Sequence, residues 1–196
     1  YRDVLKEYAT VTLEMGQDGL FFPGGTRSRS GAVETHLKKG LLGTSLAAYR
    51  NNLKAGKTQR ERVFVVPVSI GYPLVLEAQT LVEDYLAEAG KSRYIIVDDE
   101  FSEWQRWLAF MRGLLELDVR VHIRFGRALD PFGNDVDDDG ESLDPRGRKV
   151  DPARYLMHAG ALVDDPARDA EYTTALASRI VRSFAADNVV HPTHAA

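Results

Sequence analysis

The segment with the most residues able to do chemistry runs from Phe22 to Gly31 and reads Phe-Pro-Gly-Gly-Thr-Arg-Ser-Arg-Ser-Gly. Its glycines allow positive φ angles and a close approach of the backbone to a ligand. Its hydroxyl groups are hydrogen-bond donors, and a guanidinium group can bind phosphate oxygens through two parallel hydrogen bonds. Arg27 and Arg29 therefore predict a phosphate-binding loop. From composition alone, a solvated basic loop with structural ion pairs is equally open.

The basic character extends well beyond this loop. Between Gly24 and Arg62 the chain has nine Lys and Arg residues and two Glu, a net charge of +7, although the whole chain of 196 residues carries −4. The negative total argues against a dedicated nucleic-acid binding protein, so no nucleic acid is expected as a partner. The absence of cysteine excludes disulfides, thiolate zinc sites and cysteine nucleophiles.

Metal binding is also not expected. The five histidines show no ligand spacing. Asp135, Asp137, Asp139 and Gly140 match the first half of a calcium-binding loop, but its twelfth position is Arg146. A bidentate glutamate is needed at that position. We therefore predict a solvated acidic turn, with no tight calcium site and no cofactor.

The elements that must position the loop alternate between helical and strand patterns. This alternation predicts an α/β fold, with a layered, mostly parallel sheet flanked by helices, in a single domain over residues 1–196. Residues 130–151 hold eight acidic residues and three glycines, which predicts an acidic surface excursion, a hairpin in form. No internal repeat is evident. The predicted helices cover 2–15, 39–54, 74–89, about 102–117 and about 169–186, and the predicted strands cover 19–23 (buried), 63–70 (buried on both faces) and 119–125 (one face wet).

The phosphate-binding loop closely resembles the Phe-x-Glu-Gly-x-Arg-Ser-Arg block of the glycerolipid acyltransferases, above all the bacterial glycerol-3-phosphate acyltransferases. A second block, Val-Pro-Val-Ser-Ile-Gly-Tyr at 66–72, is similar to that family's Ile-Pro-Val-x-Ile-Gly-Tyr. A third, ending in Arg124-Phe125-Gly126, is similar to its strand ending in Arg-Phe-Gly. The resemblance implies the C-terminal part of an acyltransferase catalytic domain.

In function, the resemblance implies transfer of a fatty acyl group from acyl-CoA or acyl carrier protein to glycerol 3-phosphate. In that family a His-x-x-x-x-Asp block supplies the general base. This chain has no such block, so the base is expected upstream of Tyr1 and the chain alone is expected to be inactive. Gly24 also departs from the family pattern, because it stands where the family usually has Glu. The substrate-binding residues that the resemblance implies are Gly25, Thr26, Arg27, Ser28, Arg29, Pro67 and Tyr72.

Two other functions fit the same residues. A lysophosphatidate acyltransferase shares both blocks, and a non-catalytic module for phosphate or anionic lipid would retain the arginines. No apolar run approaches the 18 residues of a membrane span. We expect peripheral contact with the cytoplasmic face of a membrane. A helical face with Trp104, Trp107, Phe110 and Met111 could dock there, although packing into the core is commoner at that spacing.

Overall fold

The computed structural model describes residues 1–24, 33–57, 62–71 and 121–190. One compact unit comprises residues 1–27, 33–69 and 124–188. A second comprises 28–32, 70–123 and 189–196, of which only 70–71, 121–123 and 189–190 are described. The prediction of one domain over 1–196 stays a prediction. The predicted helices at 74–89 and about 102–117, with the Trp104 and Trp107 face, lie outside the described residues.

The first two predicted helices are confirmed. Helix α1 is Arg2–Glu14 and helix α2 is Lys39–Lys54. Soon after α1 the chain reaches Gly16 at φ +75°, a conformation that favours glycine after a helix. The two helices pack together, and Asn51 on α2 donates a 2.6 Å hydrogen bond from its Nδ2 to the Glu14 side chain.

The last helix begins earlier than its hydrophobic pattern predicts. Helix α3 is Pro166–Asp187, and the side chain of Asp165 accepts hydrogen bonds of 3.1 Å from the backbone N–H groups of Ala167 and Arg168. Aspartate at the N-cap followed by proline is a favourable helix start, because proline lacks an N–H that would need a partner. The apolar stripe of α3 packs against α2, and its buried residues are Thr173, Leu176, Ala177 and Ile180.

Charged side chains also join α2 to α3. Arg50 forms an ion pair with Asp169, and its Nε atom lies 3.4 Å from a carboxylate oxygen of Asp164. Lys54 approaches the same Asp164 carboxylate to 2.7 Å. The hydrogen bond from Lys54 lowers the pKa of Asp164 below its usual value. This carboxylate therefore stays charged to a lower pH than an ordinary aspartate does.

The predicted strands are only partly present. Residues 19–23 form no strand, and Leu20 and Phe22 are 83% and 78% exposed, so the prediction of a buried strand is wrong. Phe21 of that run packs against the core cluster that contains Leu42. Within 63–70, Val65 forms a bridge and strand β1 covers Val68–Gly71, which pairs with β2 at His122–Phe125. All four β2 residues are exposed, so the predicted buried face of this strand is not observed.

Apart from β1 and β2, the described strands pair with near neighbours in the sequence. Strands β3 (Asp135–Val136) and β4 (Ser142–Leu143) are antiparallel, as are β5 (Met157–His158) and β6 (Ala161–Leu162). A layered, mostly parallel sheet is not present among the described residues. Residues 72–120 lie outside them, so the predicted α/β layering stays a prediction.

Residues 130–150 contain a seven-residue repeat that the sequence analysis missed. Asp130, Asp137 and Asp144 each open a turn, and the glycine three residues later has a φ of +86°, +79° and +75° respectively. In each turn one carboxylate oxygen accepts hydrogen bonds of 2.8–3.1 Å from the backbone N–H groups two and four residues later. Asp151 opens a fourth unit and caps a short 3₁₀ helix, Pro152–Leu156.

The three turns produce an antiparallel meander. Its paired positions run in order through Val65, Leu129, Asp135, Leu143 and Lys149. The predicted hairpin is therefore confirmed. The prediction that 130–151 is a surface excursion is wrong for the first turn, where Asp130 and Phe132 are buried.

Phe132 lies in the core because the first turn directs it inward. Its ring lies 5.8 Å from Tyr49 on α2, 4.8 Å from Tyr155 in the 3₁₀ helix and 5.0 Å from Tyr172 on α3, measured between centroids. The contacts with Tyr49 and Tyr172 are edge-to-face, a geometry that stabilises aromatic clusters beyond the burial of their area. A second cluster packs α2 against α3 and consists of Leu42, Leu129, Leu176, Ala177 and Ile180.

The repeat allows the first turn to be tested against a matched turn. Asp130 is 2% exposed and accepts bonds from Phe132 N, Asn134 N and Asn134 Nδ2. We expect Asp130→Ala to lower the free energy of unfolding by about 3 kcal/mol, since buried donors lose their acceptor. Asp137→Ala, in the exposed second turn, should cost about 1 kcal/mol. Urea denaturation measures both, and equal losses would contradict this role of Asp130.

Candidate functional site

Most of the predicted site residues lie outside the described residues. These are Gly25, Thr26, Arg27, Ser28, Arg29 and Tyr72. Pro67 is described, and it is buried. The structure therefore describes the residues on either side of the predicted phosphate-binding loop and, separately, the block that contains Pro67.

The two ends of the loop are held together by the backbone. Lys38 N donates a 2.8 Å hydrogen bond to Pro23 O, which closes the segment between them into a loop. Phe21, before the loop, and Leu37, after it, both pack against the core cluster that contains Leu42. The loop therefore has an anchored base, and the chain enters α2 directly after it.

The start of α2 contributes positive electrostatic potential at this base. The first turn of the helix contains no acidic residue, and no side chain caps its N–H groups. Uncapped N–H groups and the helix dipole both favour an anion at a helix N-terminus. Lys38 and Lys39 add formal positive charge, although the Lys39 Nζ also donates a 3.0 Å hydrogen bond to Thr174 on α3. This environment supports anion binding without defining a site by itself.

Glu34 brings an acidic group to the same base. A β-carbon added to Gly24 would lie 2.8 Å from Cδ and 3.2 Å from Cγ of Glu34, with a carboxylate oxygen closer still. The carboxylate thus occupies the space in which a side chain at position 24 would begin. Sequence analysis noted Gly24 as a departure from the family pattern but did not identify Glu34. No spacing rule would have identified it, because the two residues are ten apart.

The second and third blocks of the family resemblance meet in the structure. Pro67 O accepts a 2.8 Å hydrogen bond from Gly126 N. A β-carbon on Gly126 would collide with Ser183 Oγ and lie 2.9 Å from a carboxylate oxygen of Asp187. Gly126 therefore permits a close approach between this backbone and the end of α3. The structure thus brings Pro67 together with the Arg-Phe-Gly block, which the sequence analysis treated separately.

The acidic residues of the meander are engaged within the fold. Asp135 forms an ion pair with Arg179, and Asp137 accepts the two N–H bonds of its turn. Within the described residues no group of three or more His, Cys, Asp or Glu is placed to hold a metal ion. These contacts support the prediction that Asp135, Asp137 and Asp139 form no tight calcium site, which stays a prediction.

A cleft of about 270 Å³ is lined by Tyr49 of α2, by residues 62–64 and by the meander, and no sequence motif predicts it. Arg62 lies in its wall, where it pairs with Glu141 and donates a 2.8 Å hydrogen bond to Gly140 O. Asp130 and Asp151 also line the cleft, and both are used in turns. Both cations that line the cleft are engaged in ion pairs, since Lys149 lies 3.9 Å from a carboxylate oxygen of Asp137.

Comparison of the chain with models of protein families, with curated proteins and with solved structures gives no match. The case for a function therefore depends on the chemistry of the residues and on the frame of the loop. In the part of the chain that the structure describes, no helix is long and apolar enough to cross a membrane.

The close approach between Gly126 and α3 can be tested by adding a single methyl group at position 126. We expect Gly126→Ala to lower the free energy of unfolding by about 1–3 kcal/mol, the cost of overpacking. The added carbon would displace the 2.8 Å hydrogen bond between Ser183 and Asp187.

Gly19→Ala is the control, because nothing lies within 4 Å of its added carbon. It should be neutral, or stabilising by less than about 1 kcal/mol. Thermal unfolding of both variants is the measurement. A Gly126→Ala protein as stable as the control would show that the contact with α3 is not close.

Proposed function

We propose that this chain is the phosphate-binding part of an acyltransferase that moves a fatty acyl group from acyl-CoA or acyl carrier protein to glycerol 3-phosphate. The observation that carries the proposal is the pair Arg27 and Arg29 in a glycine-rich segment whose base is closed by the bond from Lys38 N to Pro23 O. An anchored base restricts the conformations of the loop, so less entropy is lost when it binds a ligand.

Charge supports a phosphate ester as the ligand. The segment from Gly24 to Arg62 carries +7, and it includes the uncapped start of α2. Arginine side chains bind phosphate oxygens through two donors at once, which orients the ligand as well as attracting it. The family resemblance adds Gly25, Thr26, Ser28, Pro67 and Tyr72 to the substrate-binding set.

The acyl transfer itself needs a group that this chain does not supply. The hydroxyl oxygen of the acceptor forms a bond to the thioester carbonyl carbon, the carbon–sulfur bond breaks, and the thiol leaves. A general base must take the hydroxyl proton, and none of the five histidines stands in a His-x-x-x-x-Asp block. The base belongs to the segment expected upstream of Tyr1, and this chain holds the acceptor by its phosphate.

The chain by itself should accordingly be inactive. A positioned general base contributes about 10²–10⁴-fold to such a reaction. We expect no release of thiol from acyl-CoA in the presence of glycerol 3-phosphate above that of a boiled sample. Turnover by the purified 196-residue chain would contradict the assignment of the base to another segment.

Two alternatives retain the same phosphate chemistry. Lysophosphatidate carries the same phosphate and would need room for its acyl chain. A non-catalytic module for phosphate or anionic lipid would bind without transfer. Peripheral contact with the cytoplasmic face of a membrane belongs to the proposal, because acylated products partition into bilayers. An assay of the chain joined to its upstream segment distinguishes an enzyme from a binding module.

The arginine loop is tested by comparing arginines inside and outside it. Arg27→Ala should weaken the binding of glycerol 3-phosphate by about 10- to 100-fold, because charge-assisted hydrogen bonds are lost. Arg27→Lys should recover only part of the loss, since an ammonium group lacks the planar pair of donors. Isothermal titration calorimetry, on the chain joined to its upstream segment, is the measurement.

Arg60→Ala is the matched control, because it removes the same charge outside the loop motif. It should change little apart from the salt dependence of binding. If Arg27→Ala and Arg60→Ala weaken binding equally, the loop is only a basic surface and the proposed phosphate site is wrong.

A further inference from the structure

Helix α1 turns its apolar stripe away from α2. The stripe, called the α1 seam below, consists of Tyr1, Val4, Tyr8, Val11 and Met15, and all five are exposed. The exposed fraction is 71% for both Val4 and Tyr8. A surface helix normally packs such a stripe against the core. We propose that the α1 seam binds a second copy of this chain, so that the protein forms an antiparallel two-fold dimer. This inference is independent of the arginine loop and of the proposed function.

The other side of α1 makes its contacts within the protein. Thr10 is buried, and Leu13 packs against the core cluster that contains Phe132. Glu14 accepts the hydrogen bond from Asn51 on α2. On a helix of 3.6 residues per turn, Thr10 and Leu13 project roughly opposite to the seam. These contacts therefore hold α1 in place and leave the seam exposed.

The spacing of the seam indicates that its partner is another helix. Successive seam residues are three, four, three and four positions apart, which is the a/d pattern of two heptads. A strict a/d stripe is narrow and fits between the side chains of one facing helix. Two heptads are too short to hold two isolated helices together. The contact would therefore join chains in which α1 is already packed against α2.

Charge distinguishes a second copy from a lipid surface. No seam residue is charged, so pairing two seams buries no unpaired charge. Helix α1 as a whole has two basic residues, Arg2 and Lys6, and three acidic ones, Asp3, Glu7 and Glu14. A helix that lies on a membrane surface is typically rich in lysine and arginine. The composition of α1 therefore favours a protein partner.

The area of the seam suits a weak dimer. An aromatic side chain buries about 150–250 Å², so two tyrosines, two valines and a methionine offer about 600 Å² per copy. Each partner in a standard protein–protein interface contributes about 800 Å². Because the seam is slightly smaller, and because association also costs translational and rotational freedom, we expect a dissociation constant in the micromolar range.

The sizes of the seam residues favour the antiparallel arrangement. The a positions hold the large residues Tyr1, Tyr8 and Met15, and the d positions hold Val4 and Val11. In a parallel pair each residue faces its own copy, whereas in an antiparallel pair each a residue faces a d residue. Large residues opposite small ones fill the layers evenly, and antiparallel helix dipoles attract. This arrangement places Tyr8 against Val11 of the second copy, and Val4 against its Met15.

The first experiment measures the mass of the full 196-residue chain by sedimentation equilibrium. We expect a monomer–dimer equilibrium that Tyr8→Glu weakens by at least about 100-fold, because it removes a central tyrosine and places a charge in the seam. Phe125→Glu is the matched control, since Phe125 is an aromatic residue outside the seam that is 73% exposed. It should leave the equilibrium unchanged. Both variants should keep the helix content of the parent chain by circular dichroism.

The second experiment tests the orientation of the two copies. The chain has no cysteine, so any disulfide comes from an introduced residue. Under mild oxidation, a mixture of Val4→Cys and Met15→Cys chains should form a disulfide-linked dimer between the two variants. Each variant alone should remain unlinked, because in the antiparallel dimer the two copies of one position lie far apart along the helix axis.

The combined outcomes decide the proposal. A dimer that Tyr8→Glu dissociates and Phe125→Glu does not, with disulfides only in the mixture, supports it. A chain that stays monomeric at about 100 μM, well above a micromolar dissociation constant, overturns it. If that monomer also sediments with phosphatidylcholine vesicles, and Tyr8→Glu prevents this, the seam binds lipid instead. A dimer that Tyr8→Glu leaves intact, or disulfides within each single variant, would overturn the proposal as well.

Discussion

The buried carboxylate of Asp130 is the interaction on which the rest of the described structure depends. A buried charge is costly unless it is fully hydrogen-bonded. Here three donors surround it: Phe132 N, Asn134 N and Asn134 Nδ2, at 2.8–2.9 Å. The turn that results carries Phe132 into the core, among aromatic rings from α2, the 3₁₀ helix and α3. One polar turn thus joins three elements that are distant in the sequence.

Helix α2 connects this core to the candidate site. Leu46 and Tyr49 belong to the cluster around Phe132, whereas Leu42, one turn earlier, belongs to the cluster that anchors the residues flanking the loop. The loop therefore returns to the end of a helix that is buried along most of its length. Packing of Phe21 and Leu37 against this cluster holds the base of the loop in place. Glu34 and Gly24 acquire a defined relation only because this base is closed.

Elements with a long and regular hydrophobic pattern could be predicted from the sequence. Helix α2 has its predicted bounds, and α1 differs by a single residue. The run at 19–23 could not be predicted correctly, because a short apolar segment forms a strand only when another strand pairs with it. The turn repeat is a spacing of seven between Asp-x-x-Gly units, which a high content of aspartate and glycine does not by itself reveal.

The residues of the candidate site also divide into those that a local motif predicts and those that only the fold brings together. The arginines could be predicted as phosphate ligands because the chemistry that suggests it is local to one short motif, and this stays a prediction. The contact between Pro67 and Gly126 could not, because it joins residues about sixty apart through the backbone. The close contact of Glu34 with Gly24 depends on the absence of a side chain at Gly24, which becomes informative only when the neighbouring atoms are known.

The regular spacing of the turns in the meander has a consequence for the order of folding. Its contacts join residues only a few positions apart, so each hairpin closes with a small loss of chain entropy and can form in about 1–10 μs. The bridge between Val65 and Leu129 joins distant parts of the chain and must close a far longer loop. The meander can therefore serve as a preformed edge to which the Val65 segment adds later. Destabilising changes in the turns would then slow folding, whereas those around Val65 would mainly accelerate unfolding.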